Sequence, residues 1–463
     1  MNNRSSAQDF RHSENVGVYL RAMFKRLNEK KIRYCVLHSY EQLPDFAPSD
    51  VDIAVDLDGM QNVEPIIYEL AKDLGFKVIQ KLYYDVPISF YYVLFFRDGN
   101  GLPGFIQLDL MCDAQGIGSY LMDTETLLEG RRKEREFYIP SASVEACYLL
   151  IKKATKEVLL PEHIGQLRKL IKEDPEGCKR LFTCYFGRRN IACIERLIAD
   201  QKVQEQFKLL NFLKREAIKR KLISKPHLII LKAFWSLKRI YQRIVQPTGF
   251  MVTLISPDGG GKSALSKQLM ARLRCGFRRT TKIHWRPYIL PPPHKLLRPR
   301  QWKEPESPNY EPHTLPPKGR FISAIRFLYY LSDYMVGFLP KILWPKIRTT
   351  LVITERYYYD FLIDMARFRL NLPSYLPRLF LTLVPKPDLV ILLDGPPEVF
   401  YERKQEISLQ EINRQLGVLK SLSTLFPNVH EVRVDQPFDK EVAEVEDLIM
   451  NELEKRLKKR LGR

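Results

Sequence analysis

Residues 256–263 read SPDGGGKS, three successive glycines followed by a lysine and a serine. The apolar run GFMVTLI precedes them and leucines at every fourth position follow, so a strand, a loop and a helix are predicted in that order. Glycines adopt backbone conformations closed to other residues, which lets successive N–H groups converge on phosphate oxygens at a helix N-terminus. Lys262 is then placed to reach the β and γ phosphates, and Ser263 to ligate magnesium. The segment predicts a site for ATP and Mg²⁺ formed by Asp258, Gly259, Gly260, Gly261, Lys262 and Ser263. The alternative is an ordinary glycine-rich turn that carries a surface lysine.

Two segments further along the chain carry charged residues next to apolar runs. LVITERYYYD supplies Glu355 and Arg356, and PDLVILLDGPPEVFYERK supplies Asp394, Arg403 and Lys404. Together with the glycine-rich loop, they resemble the thymidylate kinase family and its thymidylate kinase-like relatives over residues 250–463. The resemblance implies a P-loop parallel sheet with flanking helices. It also implies ATP-dependent phosphoryl transfer to a nucleoside monophosphate, or to another phosphorylated or hydroxylated metabolite.

The resemblance assigns roles to individual residues. Lys262, Glu355, Arg356 and Arg403 would be the catalytic residues, with Glu355 in place of a commoner aspartate. In that scheme Arg356 holds the phosphate of the acceptor. Arg403 and Lys404 would be lid cations that close over the transferring phosphoryl group, where positive charge raises the rate.

Further residues of this region follow the family pattern less closely. Asp258 would touch a sugar hydroxyl of the acceptor or help to order the magnesium shell, and Arg286 of HWRP would bind the acceptor's phosphate. Ser256 replaces the glycine that usually opens the loop. The segment LYYLSDYMV offers Asp333 where thymidylate kinases carry an arginine that reads the base, so specificity for thymidine is not implied. A proline-rich insertion at 286–318 is a further departure, and a loop of this length usually has a functional role.

Carboxylates cluster in the N-terminal part of the chain. Asp50 and Asp52 occupy alternate positions of the strand-like SDVDIAVD and therefore point to one face, and Asp109 lies in the strand-like GFIQLDLMC. Three converging carboxylates would hold two divalent ions for attack on a nucleotide's α phosphate. The arrangement resembles the nucleotidyltransferase fold shared with polymerase β, although the turn His38-Ser39 lacks the usual glycine. The alternatives are an acidic, solvent-facing strand edge and a structural role for His38.

A basic, helical segment follows at 159–246. Between 202 and 246, lysines and arginines alternate with Leu, Ile, Phe234 and Trp235, which is typical of helices that bind nucleic acid or an anionic membrane surface. The alternative is a helix packed on its neighbours with a solvated basic face. A membrane-spanning helix is excluded here because Lys232, Lys238 and Arg239 interrupt every window of sufficient length.

The whole chain of 463 residues is predicted to be α/β, with a small nucleotidyltransferase-like domain at 1–158, the basic connector at 159–246 and the P-loop domain at 247–463. The net charge of +20 suits phosphorylated partners. Seven scattered cysteines without a Cys-x-x-Cys pair, and no signal-peptide pattern, indicate a cytoplasmic protein. The competing functions are a nucleotidyltransferase with a nucleotide-sensing P-loop domain and a nucleotide-switched binding protein. A homodimer is compatible with the sequence.

Overall fold

A computed structural model describes residues 14–118, 121–199, 203–291, 316–423 and 428–462. The chain divides into two compact units, Met1–Gln242 and Arg243–Arg463. Most of the proline-rich insertion, residues 292–315, lies outside the described residues. The α/β class predicted from the sequence is confirmed, because each unit contains a sheet flanked by helices.

The described part of the first unit contains a five-stranded sheet in the order β1-β2-β5-β4-β3. Its strands, which are rich in apolar and aromatic residues, are β1 (Tyr34–Val36), β2 (Val51–Val55), β3 (Lys77–Tyr83), β4 (Phe90–Arg97) and β5 (Pro103–Met111). The central pair, β2 and β5, is parallel, and the other neighbours are antiparallel. The parallel pair aligns Asp52 with Asp109, which places both carboxylates on one face of the sheet.

Helices cover this sheet and continue beyond it. They are α1 (Glu14–Glu29), α2 (Leu57–Asp73), α3 (Thr124–Leu128), α4 (Ala142–Lys156), α5 (Pro161–Glu173), α6 (Pro175–Phe186), α7 (Ile191–Ala199), α8 (Val203–Ser224) and α9 (Leu228–Val245). A small hairpin of β6 (Arg132–Glu134) and β7 (Phe137–Ile139) precedes α4. Helix α4 is buried along almost its whole length, and the apolar residues of α5 to α8 share a core with it. The helices after residue 158 therefore continue the core of the N-terminal unit.

In the described residues of the second unit, five parallel strands form a sheet in the order β12-β11-β8-β10-β9. They are β8 (Phe250–Ile255), β9 (Arg279–His284), β10 (Thr350–Glu355), β11 (Leu389–Asp394) and β12 (Val429–Arg433). The strands β8, β10 and β11 are buried at every residue, as their continuous apolar sequences require. Strands β9 and β10 lie on one side of β8 in this sheet, and strands β11 and β12 lie on the other side. The carboxyl end of β8 is therefore the switch point at which ligands bind in sheets of this kind.

The helices of the second unit are α10 (Lys262–Arg272), α11 (Arg320–Phe338), α12 (Trp344–Ile347), α13 (Asp360–Ile363), α14 (Tyr375–Leu379), α15 (Pro397–Arg403), α16 (Leu409–Ser423) and α17 (Phe438–Leu461). A π-helical turn, Leu339–Leu343, joins α11 to α12. Helix α11 buries one side through Phe327 and Tyr334 and exposes apolar residues on the other. No helix among the described residues has both the length and the apolar character needed to cross a membrane.

Candidate functional sites

The glycine-rich loop lies at the carboxyl end of β8, and α10 begins at Lys262 directly after it. Gly259 and Gly261 have φ values of 84° and 77°, which ordinary side chains rarely adopt. A Cβ atom on Gly259 would collide with the carbonyl oxygen of Phe400, and one on Gly260 with the hydroxyl of Ser256. The backbone therefore requires glycine at these positions. An open loop at a helix N-terminus, without side chains of its own, fits a bound phosphate group.

Lys262 folds back over this loop. Its Nζ donates hydrogen bonds to the carbonyl oxygens of Ser256 and Pro257, at 2.9 and 2.8 Å, and to the Ser256 hydroxyl at 2.9 Å. The lysine is buried, and burial together with the neighbouring Arg356 guanidinium lowers the pKa of its ammonium group to about 7. The alternative of a surface lysine on an ordinary turn therefore does not describe Lys262. Ser256 supplies a hydroxyl acceptor that a glycine at the same position would lack.

Glu355, at the end of β10, connects the loop helix to β9. Its carboxylate accepts hydrogen bonds from the hydroxyls of Ser263, at 3.1 Å, and Ser266, and it contacts Lys282 at 3.2 Å and His284 at 3.3 Å. Burial alone would raise the pKa of Glu355, but the hydrogen bonds from His284 and Ser266 and the charge of Lys282 lower it to about 2. A permanently ionised carboxylate therefore holds the Ser263 hydroxyl at the start of α10. Both side chains offer oxygen atoms to a magnesium ion.

Asp258 lies in the loop and is paired with two arginines. Arg356, the residue after β10, contacts one carboxylate oxygen, and Arg367 contacts the other. Arg356 also lies 3.6 Å from Asp360, and Arg367 lies 3.6 Å from Asp364. Arg356 has a φ of 65°, a strained conformation that directs the chain sharply away from the strand end. The loop carboxylate thus orients two guanidinium groups next to the glycine-rich loop.

Burial shifts the pKa values of two residues in this arginine cluster, Asp360 and Arg367. Burial raises the pKa of Asp360 to about 6, although the charges of Arg356 and Lys262 oppose the change. Burial also lowers the pKa of Arg367 to about 10, with Glu406 acting in the opposite direction. Arg367 therefore remains a cation at neutral pH and lies near the segment that follows α15.

Arg403 ends α15 beside the glycine-rich loop. One of its guanidinium nitrogens is 4.0 Å from where a Cβ atom on Gly261 would lie, and another donates to the carbonyl oxygen of Val434 at 2.9 Å. Lys404 forms an ion pair with Glu406 at 2.8 Å. The structure thus brings Arg403 together with Asp258, Lys262, Ser263, Glu355 and Arg356. Asp394, in contrast, pairs with Arg433 and Lys420 at the end of β11.

Arg286 does not lie open to a substrate. Its side chain is 1% exposed and donates to Asp333 at 2.8 Å. Asp333 also accepts hydrogen bonds from the backbone of Tyr288 and Leu290, at 3.0 and 2.7 Å. The expected contact of Arg286 with an acceptor phosphate is therefore wrong, because the pair is buried and holds the loop after β9.

The N-terminal unit contains a second candidate site. Ligand oxygens of Asp50, Asp52 and Asp109 lie within 4.8 Å of one another. Carboxylate oxygens at this spacing suit Mg²⁺ or a similar hard cation. The sequence prediction that these residues meet is correct, because β2 and β5 are parallel neighbours with Asp52 opposite Asp109.

Two nitrogen groups already contact this cluster. The Nε2 atom of His38 contacts Asp52, and the Nζ of Lys152 lies 3.3 Å from the same carboxylate oxygen. Tyr84 donates its hydroxyl to Asp109 at 2.7 Å. Asp52 is thus held by two nitrogen groups of the chain itself, those of His38 and Lys152. His38, considered from the sequence as a structural histidine, is a partner of Asp52.

Proton affinities diverge strongly within the cluster. Burial would raise the pKa of Asp52, but the hydrogen bond and charge of His38 lower it to about 2. Burial and the charge of Asp52 raise the pKa of Asp109 to about 8, and the same causes raise that of Asp50. Burial lowers the pKa of Lys152. Such separation of proton affinities within one group of residues is typical of functional sites.

No protein-family model matches this chain, and no curated protein matches it either. The interpretation of both sites therefore depends on their residues and geometry.

Sequence reasoning missed several residues of these sites. Arg367 and Lys152 stand in helical segments where basic residues are common, so neither has a local motif. Lys152 carries one usable signal, because the buried positions of its helix are otherwise apolar except for Ser143 and Glu145. Ser256 was recognised only as a departure from the loop pattern, although its hydroxyl contacts Lys262.

Proposed function

We propose that the second unit binds ATP with Mg²⁺ and transfers a phosphoryl group to a phosphorylated acceptor, such as a nucleoside monophosphate or a related metabolite. The observation that carries the proposal is the position of Lys262, folded over a glycine-rich loop at the carboxyl end of the central parallel strand. The resemblance to thymidylate kinase-like proteins supports the same reaction. ATP would supply the phosphoryl group at this site.

In this proposal the chain contributes position and charge. The loop from Gly259 to Gly261 directs backbone N–H groups at the phosphates, and the Lys262 ammonium leaves its carbonyl partners to contact them. The Ser263 hydroxyl, held by Glu355, is placed to ligate magnesium. Arg403 lies beside the loop and stabilises charge that develops on the transferring group.

The acceptor is proposed to be anionic because two arginines converge where it would bind. Arg356 and Arg367 share the Asp258 carboxylate, so their remaining guanidinium N–H groups form a fixed pair of donors. Arginine donors of this geometry match the oxygens of a phosphate group. A neutral alcohol carries no charge to match the remaining N–H donors of these guanidinium groups.

The test is transfer from γ-labelled ATP, in the presence of Mg²⁺, to a panel of nucleoside monophosphates, nucleosides and sugar phosphates. Lys262→Met keeps most of the side-chain volume and removes the ammonium, so transfer to one acceptor that is lost in this variant supports the proposal. ATP binding without transfer to any acceptor contradicts the proposed kinase activity.

A second candidate function, metal-dependent nucleotidyl transfer by the first unit, is favoured by the convergence of Asp50, Asp52 and Asp109. These carboxylates would hold the divalent cation, and His38 and Lys152 would keep Asp52 ionised. Release of pyrophosphate from a nucleoside triphosphate that is lost in Asp50→Asn, but kept in Lys262→Met, would assign that activity to the first unit.

A further inference from the structure

Helix α9, Leu228–Val245, exposes a ridge of large apolar side chains. Ile230, Phe234, Leu237, Tyr241 and Ile244 recur at intervals of four and three residues, so they form one continuous stripe along the helix. Ile230 is 74% exposed, and Leu237 and Tyr241 are each 67% exposed. A continuous stripe of exposed aliphatic and aromatic side chains indicates a surface that binds another protein or a membrane.

The opposite side of α9 is attached to the first unit. All of α9 is described, and Leu228 is its single buried residue. Arg239 forms an ion pair with Asp85 at 3.5 Å. Leu228 and Arg239 are about three helical turns apart and share a side of the helix, which is opposite to Tyr241. The helix therefore turns the side that carries Leu228 and Arg239 toward the first unit and its apolar ridge outward. The expectation of a helix packed on its neighbours with a solvated basic face does not describe α9.

The segment around the ridge is strongly cationic. No Asp or Glu occurs between Glu216 and Asp258, an interval that holds Lys219, Arg220, Lys221, Lys225, Lys232, Lys238, Arg239 and Arg243. Lys232 and Lys238 are exposed on α9 itself, and the Nζ of Lys238 lies 4.5 Å from the ring centre of Trp235. The apolar ridge and the positive charges around it are together complementary to an anionic lipid surface, in which hydrocarbon lies beneath a layer of negative headgroups.

We propose that α9 binds the surface of an anionic lipid membrane, with its apolar ridge inserted below the headgroups and its lysines in contact with them. The same lysines and arginines prevent the helix from crossing the bilayer, so it lies in the plane of the interface. The protein would then act next to a membrane, whatever reaction its two units perform.

Two other occupants fit the ridge less well. A second copy of the chain would bring two acid-free, cationic segments together, and like charges at an interface oppose association. Nucleic acid would contact the lysines and arginines through its phosphates, but the aliphatic ridge would remain exposed to water. A lipid surface satisfies both the ridge and the charge.

The test is sedimentation of the full-length protein with vesicles of phosphatidylcholine containing about one-third phosphatidylglycerol, beside vesicles of phosphatidylcholine alone. We expect binding to the anionic vesicles that weakens as salt is added. The double variant Leu237→Ser/Tyr241→Ser removes two exposed side chains from the ridge and is expected to weaken binding by about tenfold or more. The variant Lys232→Ala/Lys238→Ala should also weaken binding and reduce its dependence on salt.

The matched control is Ile325→Ser/Leu328→Ser on α11, which removes exposed apolar side chains from a helix in the other unit. This control should bind vesicles as the wild type does. Wild-type protein that fails to bind anionic vesicles, or equal binding by the ridge variant, overturns the proposal. So does a wild-type dimer that dissociates in the ridge variant, or binding to DNA that the ridge variant loses while vesicle binding is unchanged.

Discussion

The Nζ of Lys262 lies 2.9 Å from the hydroxyl oxygen of Ser256, the first residue of the glycine-rich loop. The same ammonium is held by the carbonyl oxygens of Ser256 and Pro257. Lys262 must leave these acceptors to contact a phosphate. In the proposed function, Ser256 would therefore stabilise the nucleotide-free position of the lysine against the bound one.

Ser256→Ala should strengthen ATP binding. The change removes one acceptor from the free state and none from the bound state, and a hydrogen bond of this kind contributes about 1 kcal/mol, or roughly fivefold in affinity. Titration of a fluorescent ATP analogue measures the effect. In the Lys262→Met background the same substitution should change affinity little, because the lysine no longer competes. Weaker binding by Ser256→Ala alone would falsify the idea that the hydroxyl stabilises the free state.

Arg367→Gln should raise the KM for the acceptor by about 10- to 100-fold while leaving the affinity for ATP nearly unchanged. The reason is that Asp258 holds Arg367 on the side of the loop where we propose that the acceptor binds. Steady-state kinetics with each substrate varied in turn separates the two effects. Arg378→Gln, on the exposed surface of α14, is the matched control and should behave as the wild type. Equal losses for both substrates would place Arg367 at the nucleotide.

The glycine-rich loop was predictable because its residues are contiguous. One strand, one loop and one helix fix Gly259, Lys262 and Ser263 relative to one another, so the sequence alone places them correctly. Asp52 and Asp109 were predictable for a different reason, since both interrupt apolar strands at positions where a carboxylate needs a partner. The local sequence pattern therefore predicts the site residues that lie on strands, on a helix or in the loop that joins them.

The partners of these residues were not predictable in the same way. Arg367 lies in a short helical turn and Lys152 in a long helix, each about 100 positions from the aspartate that it contacts, and nothing adjacent in sequence indicates the contact. Arg286 shows the opposite error, because the sequence predicts a substrate contact for a residue whose partner is inside the protein. A basic residue in a substrate-like motif is fully buried, because an aspartate 47 positions later neutralises it. Charge pairing across long sequence separations decides which cations are free for a ligand.

Glu355→Gln should destabilise the second unit more at neutral pH than in acid. The folded pKa of Glu355 is about 2, below its ordinary value of 4.5, so the ionised group stabilises the fold above about pH 4.5. This contribution is lost as the pH falls toward the folded pKa. The difference in unfolding free energy between wild type and variant should therefore shrink by about 2 kcal/mol between about pH 6 and pH 3.

Hydrogen exchange of β8 and β10 at several pH values measures this difference for the second unit alone. Glu431→Gln, at an exposed position of β12, is the control and should show no such pH dependence. A difference for Glu355→Gln that stays constant from neutral to acid pH would show that the carboxylate's charge does not contribute.

Lys152→Met should tighten the binding of Mn²⁺ to the N-terminal unit by about tenfold, because the three carboxylates lose the ammonium that neutralises Asp52. Electron paramagnetic resonance of added Mn²⁺ measures the bound fraction. Lys156→Met, an exposed lysine at the end of the same helix, should leave the affinity unchanged. Absence of Mn²⁺ binding in all three proteins would rule out a divalent cation site at Asp50, Asp52 and Asp109.

Arg286→Met should destabilise the second unit by about 3–5 kcal/mol, because it leaves the buried Asp333 carboxylate without its cation. Urea denaturation followed by tryptophan fluorescence measures the loss. Asp333 keeps its hydrogen bonds from the backbone of Tyr288 and Leu290, so the double variant Arg286→Met/Asp333→Asn should recover part of the stability by removing the unpaired charge. A binding role predicts another pattern, in which Arg286→Met unfolds like the wild type and loses only affinity for the acceptor. The two patterns separate a structural arginine from a substrate-binding one at the residue where motif and geometry disagree.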